Sequence, residues 1–492
     1  MSRRQLTCLV FALVAGLYFS SAPVADNDLW GHVLFGRQIL QSGALPSSNG
    51  YAYTAPDHPW INHEILAECV FAWLYDHLGS AGLLFFKIAV GMLTILIMKQ
   101  TAERRGAEPL GWGLALGLSA SIMSWGFLIR PQLFTFLAVA LLWDRLHADA
   151  AGRGASCLAT LPLLFVVWIN THGGTIAGLA ILAAYLVIEG VRRDSRERRW
   201  LVLSFLLCAA ALLVNPYGYR LPVFLAHDLT RVRQISEWSP IPLFDGSHLR
   251  FKLAVALCLV GAITNRGRPF WESGIIALGA IAAFRHERHA PLFAILAAPL
   301  LARTLSDFLQ ALHASLGRSG RQPAFVMLLG AMLAIAAWQL WQVGAVYRGL
   351  YCQIFVSPRV FPVDAVRFIS RNHLRGNLLL PFDWGEYAIW HLYPRCRVSV
   401  DGRYTTAYPD VVLDQSNRLL VAGPGWERSL HDASIALIDR RQPIARLMFD
   451  RPDWQYVYSD ATAMVFVRKD LPGPPTWERR TRDRSENTFF FP

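Results

Sequence analysis

Charged residues are scarce in this sequence. Of its 492 residues only 17% are Asp, Glu, Lys or Arg, against roughly 25% in soluble domains, whereas 54% are hydrophobic and the mean hydropathy is positive. This composition excludes an ordinary soluble protein and predicts an integral membrane protein. The net charge is +12, but basic residues in a membrane protein serve first as topology signals, so we expect no nucleic-acid partner.

Cysteine motifs and nucleotide-binding motifs are also lacking. The seven cysteines are scattered without CxxC spacing, so neither a zinc site nor a disulfide framework is indicated, although pairing of Cys352 with Cys396 stays open. There is no P-loop and no dinucleotide-binding GxGxxG motif. His63-Glu64 continues as Ile-Leu-Ala, which excludes the HExxH motif of zinc peptidases.

Long apolar segments, in contrast, are abundant. Residues 6–19 follow Arg3 and Arg4 and predict a membrane anchor or a signal peptide, and either places Asp26 outside the cytoplasm. Further segments of membrane-spanning character lie at 79–98, 110–128, 132–146, 157–170, 173–190, 200–214, 251–265, 272–284, 290–310 and 323–346. The sequence therefore predicts about eleven transmembrane helices, some of them short.

Alternation of these spans from a cytoplasmic N-terminus places basic residues in every inside loop. These are Lys99, Arg104, Arg105, Arg145, Arg153, the run 192–199, Arg266, Arg268, Arg318 and Arg321. The positive-inside rule supports this topology. The outside loops instead collect the unusual polar residues, and ionisable groups at a membrane edge are expensive unless they are paired or functional. We therefore predict a site on the outside only.

The chain divides into a membrane part and a soluble part. We expect a transmembrane domain over 1–346, with a first outside loop at 24–78 that contains interfacial helices at 29–40 and 63–78. Residues 347–480 predict a soluble α/β domain, which span parity places outside, and 481–492 a loose tail. Within the soluble domain the predicted elements are helices at 362–372 and 384–391 and strands at 377–381, 397–400, 434–438, 455–458 and 464–468.

Several short motifs give the chain a family resemblance. They are Asp26-Asn27-Asp28-Leu29-Trp30-Gly31-His32, Pro59-Trp60-Ile61-Asn62-His63-Glu64, Arg130-Pro131-Gln132, Asn170-Thr171-His172-Gly173-Gly174, Asn215-Pro216-Tyr217-Gly218, Asp383-Trp384-Gly385-Glu386-Tyr387 and Asp401-Gly402-Arg403. With these motifs the chain resembles a bacterial branch of the C-type glycosyltransferase superfamily, multi-span enzymes that include protein O-mannosyltransferases and lipid A aminoarabinose transferases. The resemblance implies a C-type glycosyltransferase-like membrane fold in the bacterial cytoplasmic (inner) membrane, a polyprenyl-phosphate-linked sugar donor and inversion at the anomeric carbon.

In that superfamily an Asp of the first outside loop acts as a base or orients the acceptor, which would transfer here to Asp28 or Asp26. The alternative is that one of them only caps the helix beginning at Leu29. The departing phosphate needs cationic or hydrogen-bonding groups. We expect Arg130, Arg285, His286, Arg288 and His289 to supply them. A structural ion pair is the alternative for Arg130, and snorkelling at the interface for the cluster at 285–289.

Other polar and aromatic residues outside are predicted to contact substrate, with turns and helix packing as the alternative. They are Trp30, His32, His63, Glu64, Asn170, His172, Tyr217, Asp383, Asp401 and Arg403. His32, His63 and Glu64 with Asp28 also offer suitable ligands for a divalent metal, so a metal cofactor stays open without being assigned.

The sequence thus predicts a membrane glycosyltransferase acting at the outer face of the cytoplasmic membrane. It would move a sugar from a polyprenyl-phosphate donor to a glycan, lipid or protein acceptor of the envelope or a secreted acceptor, and the soluble domain would guide that acceptor. The alternatives are a non-enzymatic transporter or flippase for lipid-linked saccharides, and a scaffold. A transport path requires polar residues deep in the spans and near the inside face, and we expect few there.

Overall fold

The computed structural model describes residues 2–153, 158–229, 231, 236–264, 269–315, 318–471 and 489–492. Contacts divide the chain into two compact units, the first comprising Met1–Ala22 with Leu83–Cys352 and the second Pro23–Gly82 with Gln353–Pro492. By contacts, the first outside loop therefore groups with the C-terminal residues. The boundaries at 346 and 480, which follow composition, stay predictions. Cys157, Arg266 and Arg268 lie outside the described residues, and Cys352 and Cys396 are both free.

Helices make up most of the chain. In chain order they are α1 (Arg3–Ser20), α2 (Leu29–Ser42), α3 (Ile65–Arg104), α4 (Pro109–Met123), α5 (Gln132–Ala148), α6 (Leu161–Ile169), α7 (Thr175–Gly190), α8 (Ser195–Ala211), α9 (Arg220–Asp228), α10 (Leu249–Thr264), α11 (Phe270–Arg285), α12 (Ala290–Ser315), α13 (Arg318–Gly349), α14 (Val363–Arg371), α15 (Gly385–Leu392), α16 (Asp410–Leu420) and α17 (Ile444–Leu447).

Among the described residues, three helical segments are long and apolar enough to cross a membrane by length and composition. They are Ile65–Arg104, Glu287–Ser315 and Gln322–Gly349, while Thr175–Gly190 is a shorter apolar helix. The prediction of a polytopic helical membrane protein is confirmed at this level. A helix also falls on each predicted span, but the count of eleven stays a prediction because most of these helices are too short to meet the same criterion.

Helix α3 is interrupted where the sequence predicts the end of an interfacial helix. Gly79 has φ 62° and ψ −159°, a left-handed φ that glycine adopts at little cost because it has no Cβ. The predicted elements at 63–78 and 79–98 are therefore the two parts of one long helix. The boundary between the two units falls three residues further on, between Gly82 and Leu83.

The second unit contains a five-stranded sheet with the order β2-β1-β3-β5-β4. Its strands are β1 (Gly376–Leu379), β2 (Cys396–Val398), β3 (Ile435–Asp439), β4 (Trp454–Ser459) and β5 (Ala463–Arg468). Strands β2, β1 and β3 are parallel, and β5 and β4 continue the sheet antiparallel. All predicted strands are confirmed, as is the hairpin between the last two. Strand β3 is buried at every position, as expected for a central strand.

The first outside loop extends this sheet at the β2 edge. Ala52 forms a parallel bridge with Val398. The Val398 N–H donates to Tyr51 O at 3.0 Å, and the Tyr53 N–H donates to Val398 O at 3.1 Å. An edge strand otherwise presents unpaired N–H and C=O groups, so the loop satisfies groups that β2 would leave open.

The predicted loose tail lies mostly outside the described residues, which resume at Phe489. There the Val356 N–H donates to Phe489 O at 2.8 Å, and the Phe491 N–H donates to Ile354 O at 2.9 Å. The Phe491 ring is buried, with its centroid 5.6 Å from that of Trp30. The last residues are therefore packed into the second unit.

Candidate functional site

Asp28 and Asp26 lie at the start of α2 in the second unit. Asp28 occupies the N-cap position, yet its side chain makes no capping hydrogen bond to the helix within the described chain. The capping alternative is therefore wrong for Asp28. Asp26 is buried, and its Oδ1 accepts the Asp28 backbone N–H at 3.1 Å. Asp26 thus fixes the backbone at Asp28.

Glu386 of α15 is a third carboxylate of this site. Its Oε2 accepts the Gly31 N–H of α2 at 3.0 Å. A Cβ at Gly402 would lie 2.4 Å from Asp28 Oδ1 and 2.6 Å from Glu386 Oε1, so the two carboxylates flank this glycine. A Cβ at Gly31 would lie only 2.1 Å from Glu386 Oε2. Both glycines therefore allow a backbone to approach an acid more closely than any side chain permits.

The environment of Glu386 favours its protonated form. Burial raises the pKa of Glu386 well above its ordinary value, and the charges of Asp28 and Asp401 raise it further, against the opposing charge of Arg403. A proton on Glu386 removes the repulsion between neighbouring carboxylates. A carboxyl group that stays protonated next to a second carboxyl group can hold a proton while the other accepts one.

A buried ion pair joins the sheet domain to the first loop. Asp401 accepts from Arg403 through Nε–Oδ1 at 2.8 Å and Nη2–Oδ2 at 2.6 Å, and Nη2 also donates to Asn49 Oδ1 of the first loop. The guanidinium carbon of Arg403 lies 4.6 Å from the Trp60 ring centroid and 5.1 Å from that of Phe35. These contacts favour a positioning role, and the substrate contacts predicted for Asp401 and Arg403 stay predictions.

A second polar group in the same unit joins His32, Glu64 and Glu68. His32 Nδ1 lies 3.8 Å from Glu64 Oε2 and 3.8 Å from Glu68 Oε1, and His63 Nε2 lies 3.4 Å from Glu64 Oε1. Burial opposes a charge on His32, but the hydrogen bond with Glu68 and the charges of Glu64, Asp28 and Glu68 raise its pKa.

One ligand atom from each of His32, Glu64 and Glu68 lies within 4.8 Å of the others. Asn62 Nδ2 donates to Glu68 Oε2 at 2.6 Å and orients that carboxylate. One imidazole and two carboxylates suit Zn²⁺ or Mn²⁺. The group therefore fits a divalent cation, and it includes two of the predicted ligands.

In the first unit, Glu237 and Trp238 bring the predicted phosphate-binding residues together. Arg130 Nη1 lies 2.6 Å from Glu237 Oε1. The next residue, Trp238, accepts from His286 Nδ1 at 2.7 Å through its carbonyl, and its ring lies 4.6 Å from the Arg288 guanidinium carbon. Arg130 thus has the ion pair that was the alternative to phosphate binding. Its role toward phosphate stays a prediction.

Two further members of the predicted cluster flank these contacts. The His289 ring centroid is 5.8 Å from that of His286, and Arg285 is exposed. Arg288, His286 and His289 therefore lie around Trp238, and the role of the segment at 285–289 toward phosphate stays a prediction.

The polar residues between the shorter helices hold turns. Asn170 Nδ2 donates to Val214 O at 2.8 Å, and His172 Nδ1 lies 2.8 Å from Thr135 Oγ1. The Tyr217 N–H donates to Asn215 Oδ1 at 2.8 Å within a local turn. These contacts favour the helix-packing alternative, and substrate contacts for these residues stay predictions.

Buried ionisable residues also occur at the helix ends predicted to lie inside. Arg105 Nη2 lies 2.7 Å from Glu272 Oε2, and His147 Nε2 lies 3.6 Å from Glu272 Oε1. Arg104 Nε lies 3.4 Å from Asp144 Oδ1. The expectation of few polar residues there is therefore wrong. Each acid faces a basic residue, which offsets part of the cost of burying its charge.

No protein-family model and no curated protein sequence matches the chain. Solved structures do match. The apo oligosaccharyltransferase of Archaeoglobus fulgidus superposes with a TM-score of 0.56 at 11% identity over 96% of this chain and 75% of that one. ArnT from Cupriavidus metallidurans in the apo state superposes with a TM-score of 0.55 at 15% identity over 94% of this chain and 97% of that one. This chain has the C-type glycosyltransferase fold.

Two further structures extend this comparison. ArnT bound to undecaprenyl phosphate matches with a TM-score of 0.53 at 15% identity over 95% of this chain and 98% of that one. Mycobacterial arabinofuranosyltransferase AftD matches with a TM-score of 0.52 at 13% identity over 95% of this chain, which spans only 40% of AftD. These matches confirm the predicted helical C-type fold with a small C-terminal sheet domain, whereas the count of eleven spans and the placement of that domain outside stay predictions. Activity and residue roles do not follow from identities this low.

Within this C-type fold, sequence reasoning missed two acids of the site. Glu386 stands three residues after Asp383, the predicted substrate contact, which is exposed. The adjacent Gly385 could have indicated Glu386, because a glycine lets the backbone next to the acid approach another segment closely. Glu68 follows Glu64 by four residues, and its N–H donates to Glu64 O at 2.9 Å. That helical spacing places both acids on one face and could have indicated the pair.

Proposed function

We propose that this protein is a membrane glycosyltransferase that moves a sugar from a polyprenyl-phosphate donor to a glycan, lipid or protein acceptor. The observation that carries the proposal is the placement of Asp28 against Glu386 beside Gly402 in a chain with the C-type glycosyltransferase fold. The structure of ArnT bound to undecaprenyl phosphate supports the donor class. The proposal includes eleven spans, an N-terminus inside the cell and action at the outer face of the bacterial cytoplasmic membrane. The basic residues of the predicted inside loops support this topology.

In the proposed reaction the acceptor hydroxyl attacks the anomeric carbon while the bond from that carbon to the phosphate oxygen breaks, so the configuration inverts. Asp28 takes the hydroxyl proton as general base. Glu386 in its protonated form limits charge repulsion and keeps Asp28 available. The polyprenyl phosphate leaves as an anion, which requires cationic or hydrogen-bonding groups to stabilise it.

We further propose that His32, Glu64 and Glu68 hold a divalent cation. The support is the closeness of the three ligand atoms, within 4.8 Å of one another, and the orienting bond from Asn62 to Glu68. When bound, such a cation would supply positive charge for an anionic substrate.

The direct test is a transfer assay on the full-length protein in lipid nanodiscs with radiolabelled polyprenyl-phosphate sugars and a panel of acceptors. Asp28→Asn keeps the size of the side chain but removes the base, so we expect transfer to fall by about 10² to 10⁴-fold. The matched control is Asp57→Asn, an exposed residue of the same loop, which should leave transfer unchanged. Equal transfer by both variants would refute the assignment of the base.

One observation favours a second candidate, a transporter or flippase for lipid-linked saccharides. The buried pairs of Arg105 with Glu272 and Arg104 with Asp144 place ionisable groups near the predicted inside face. Proteoliposomes with a labelled lipid-linked saccharide distinguish the two. Movement of the label between leaflets without a transfer product would favour the transporter, and product formation on the outer side favours the transferase.

A further inference from the structure

The segment 489–491 is connected by backbone pairing to the residues that lead into α2. Phe355 forms an antiparallel bridge with Phe490 on one side and a parallel bridge with Val24 on the other. The Ala25 N–H donates to Phe355 O at 2.9 Å, and Ala25 directly precedes the first of the two aspartates at the start of α2. The segment therefore forms part of the support for the backbone on which these aspartates stand.

The Phe491 ring contacts one aromatic residue from each of three helices. Its side chain is 4% exposed. The ring centroid lies 5.6 Å from that of Trp30 in α2, 4.9 Å from that of Tyr75 in α3 and 5.5 Å from that of Trp390 in α15. All three distances fall in the range of roughly 4.5 to 7 Å at which aromatic pairs attract each other. Because interiors are close-packed, the ring sets the spacing of these helices.

Two of the three helices carry the carboxyl groups of the candidate site. Trp30 is two residues after Asp28, and Trp390 follows Glu386 by four residues, about one helical turn. The Gly31 N–H, next to Trp30, donates to Glu386 Oε2 at 3.0 Å. A shift of α2 against α15 therefore changes both this hydrogen bond and the position of Asp28 relative to Glu386.

We propose that Phe491 is a positioning residue of the candidate site, because its ring fixes α2 against α15 and so holds Asp28 in place against Glu386. The importance of this placement for transfer rests on the proposed function, whereas the packing itself does not. Removal of the ring leaves a cavity that the surrounding helices fill only in part by moving. A displacement of about 1 Å can reduce a catalytic rate by about 10²-fold.

The first test compares the kinetics of Phe491→Ala and Phe490→Ala in the full-length protein in lipid nanodiscs, with a radiolabelled polyprenyl-phosphate sugar as donor. For Phe491→Ala we expect kcat to fall by about 10 to 10²-fold with KM for the donor changed by less than about twofold, because the base is displaced and donor binding is not. Phe490→Ala removes an identical ring from a half-buried neighbour, keeps the backbone bridge and should leave both constants near those of the wild type.

Phe491→Leu keeps an apolar side chain of smaller size, so it should fold and lower kcat by only about threefold. Thermal unfolding checks that each variant is folded, and Phe491→Leu provides the test if Phe491→Ala is not. An unchanged kcat in a folded Phe491→Ala protein, or an equal loss in Phe490→Ala, would overturn the proposal.

A double variant separates positioning from a general loss of stability. Asp28→Asn removes the base, so the ring then has no base to hold in place. In that background Phe491→Ala should lower kcat by less than about threefold further, because two changes that act through the same group are not additive. Equal losses in the two backgrounds would show that the ring acts on another part of the protein, which would overturn the proposal.

Hydrogen–deuterium exchange, read by mass spectrometry, tests the packing without any transfer. Because Glu386 accepts the Gly31 N–H, separation of α2 from α15 exposes this amide. Its exchange should become about tenfold faster or more in Phe491→Ala and stay unchanged in Phe490→Ala. Unchanged exchange in Phe491→Ala would refute this inference alone. Faster exchange, in a protein whose wild type transfers no sugar from any donor, would support the packing and refute only the proposed function.

Discussion

Gly402 allows the geometry of the candidate site to be changed without changing an acid. A methyl group at this position would lie 2.4 Å from Asp28 Oδ1 and 2.6 Å from Glu386 Oε1. Ordinary van der Waals contact would require each carboxylate to move by about 1 Å, a displacement that can reduce a catalytic rate by about 10²-fold. Both obstructing atoms are ends of side chains, which can turn away. We therefore expect Gly402→Ala to fold and to lose most transfer activity.

Two other glycines provide matched comparisons. A Cβ at Gly385 would lie 2.4 Å from the Asp401 Cα and 2.4 Å from Val400 O, and backbone atoms cannot turn away. Gly385→Ala should therefore destabilise the fold by about 1 to 3 kcal/mol or more. A Cβ at Gly50 meets no described atom within 4 Å. Gly50→Ala should leave both stability and activity near those of the wild type.

Thermal unfolding in detergent and transfer from a polyprenyl-phosphate sugar would be measured side by side for the three variants. The expected pattern is lost activity with retained stability for Gly402→Ala, and lost stability for Gly385→Ala. Normal transfer by a folded Gly402→Ala protein would show that the position of Asp28 against Glu386 is unimportant for the reaction. The assignment of the site would then be refuted.

Three further predictions concern charge. Arg403→Lys keeps the charge but loses the forked contact with Asp401. The free energy of unfolding, measured by denaturation, should therefore fall by about 1 to 3 kcal/mol. The control is Arg397→Lys at an exposed position, for which no such fall is expected in the same experiment. The pKa of Glu386 is raised above its ordinary 4.5, so its contribution to stability is complete below that pH and is lost as pH rises through the raised pKa. Glu386→Gln should remove this part of the pH dependence of the unfolding temperature, and an unchanged profile would contradict it. His32→Ala should weaken Mn²⁺ or Zn²⁺ binding in calorimetry by about tenfold or more, and equal binding would place the cation elsewhere.

The locally specified elements were predictable from the sequence. Helix α2 follows from its apolar spacing, and its end follows from Gly43, which adopts φ 64° and donates its N–H to Ile39 O. The hairpin of β4 and β5 follows from two short runs rich in aromatic and β-branched residues on either side of Ser459-Asp460. In each case the signal lies within a few residues of the element that it specifies.

The contacts between candidate residues that lie far apart in the sequence were not predictable in this way. The link between Arg130 and Glu237 joins residues 107 positions apart, and no local pattern selects that partner among the other acids of the outside loops. The grouping of the first loop with the sheet depends on the bridge of Ala52 to Val398. An isolated β-bridge between two residues leaves no repeating apolar pattern in the sequence, so periodicity cannot predict it.

The hydrogen bond from Gly31 to Glu386 also determines when the candidate site can form. The two residues are 355 positions apart. At synthesis rates of roughly 5 to 20 residues per second, translation takes about 20 to 70 s to proceed from one to the other. During that interval Asp28 lacks its carboxyl partner, so a nascent or prematurely terminated chain cannot have the completed site. Formation of the candidate site is thus delayed until synthesis has passed Glu386.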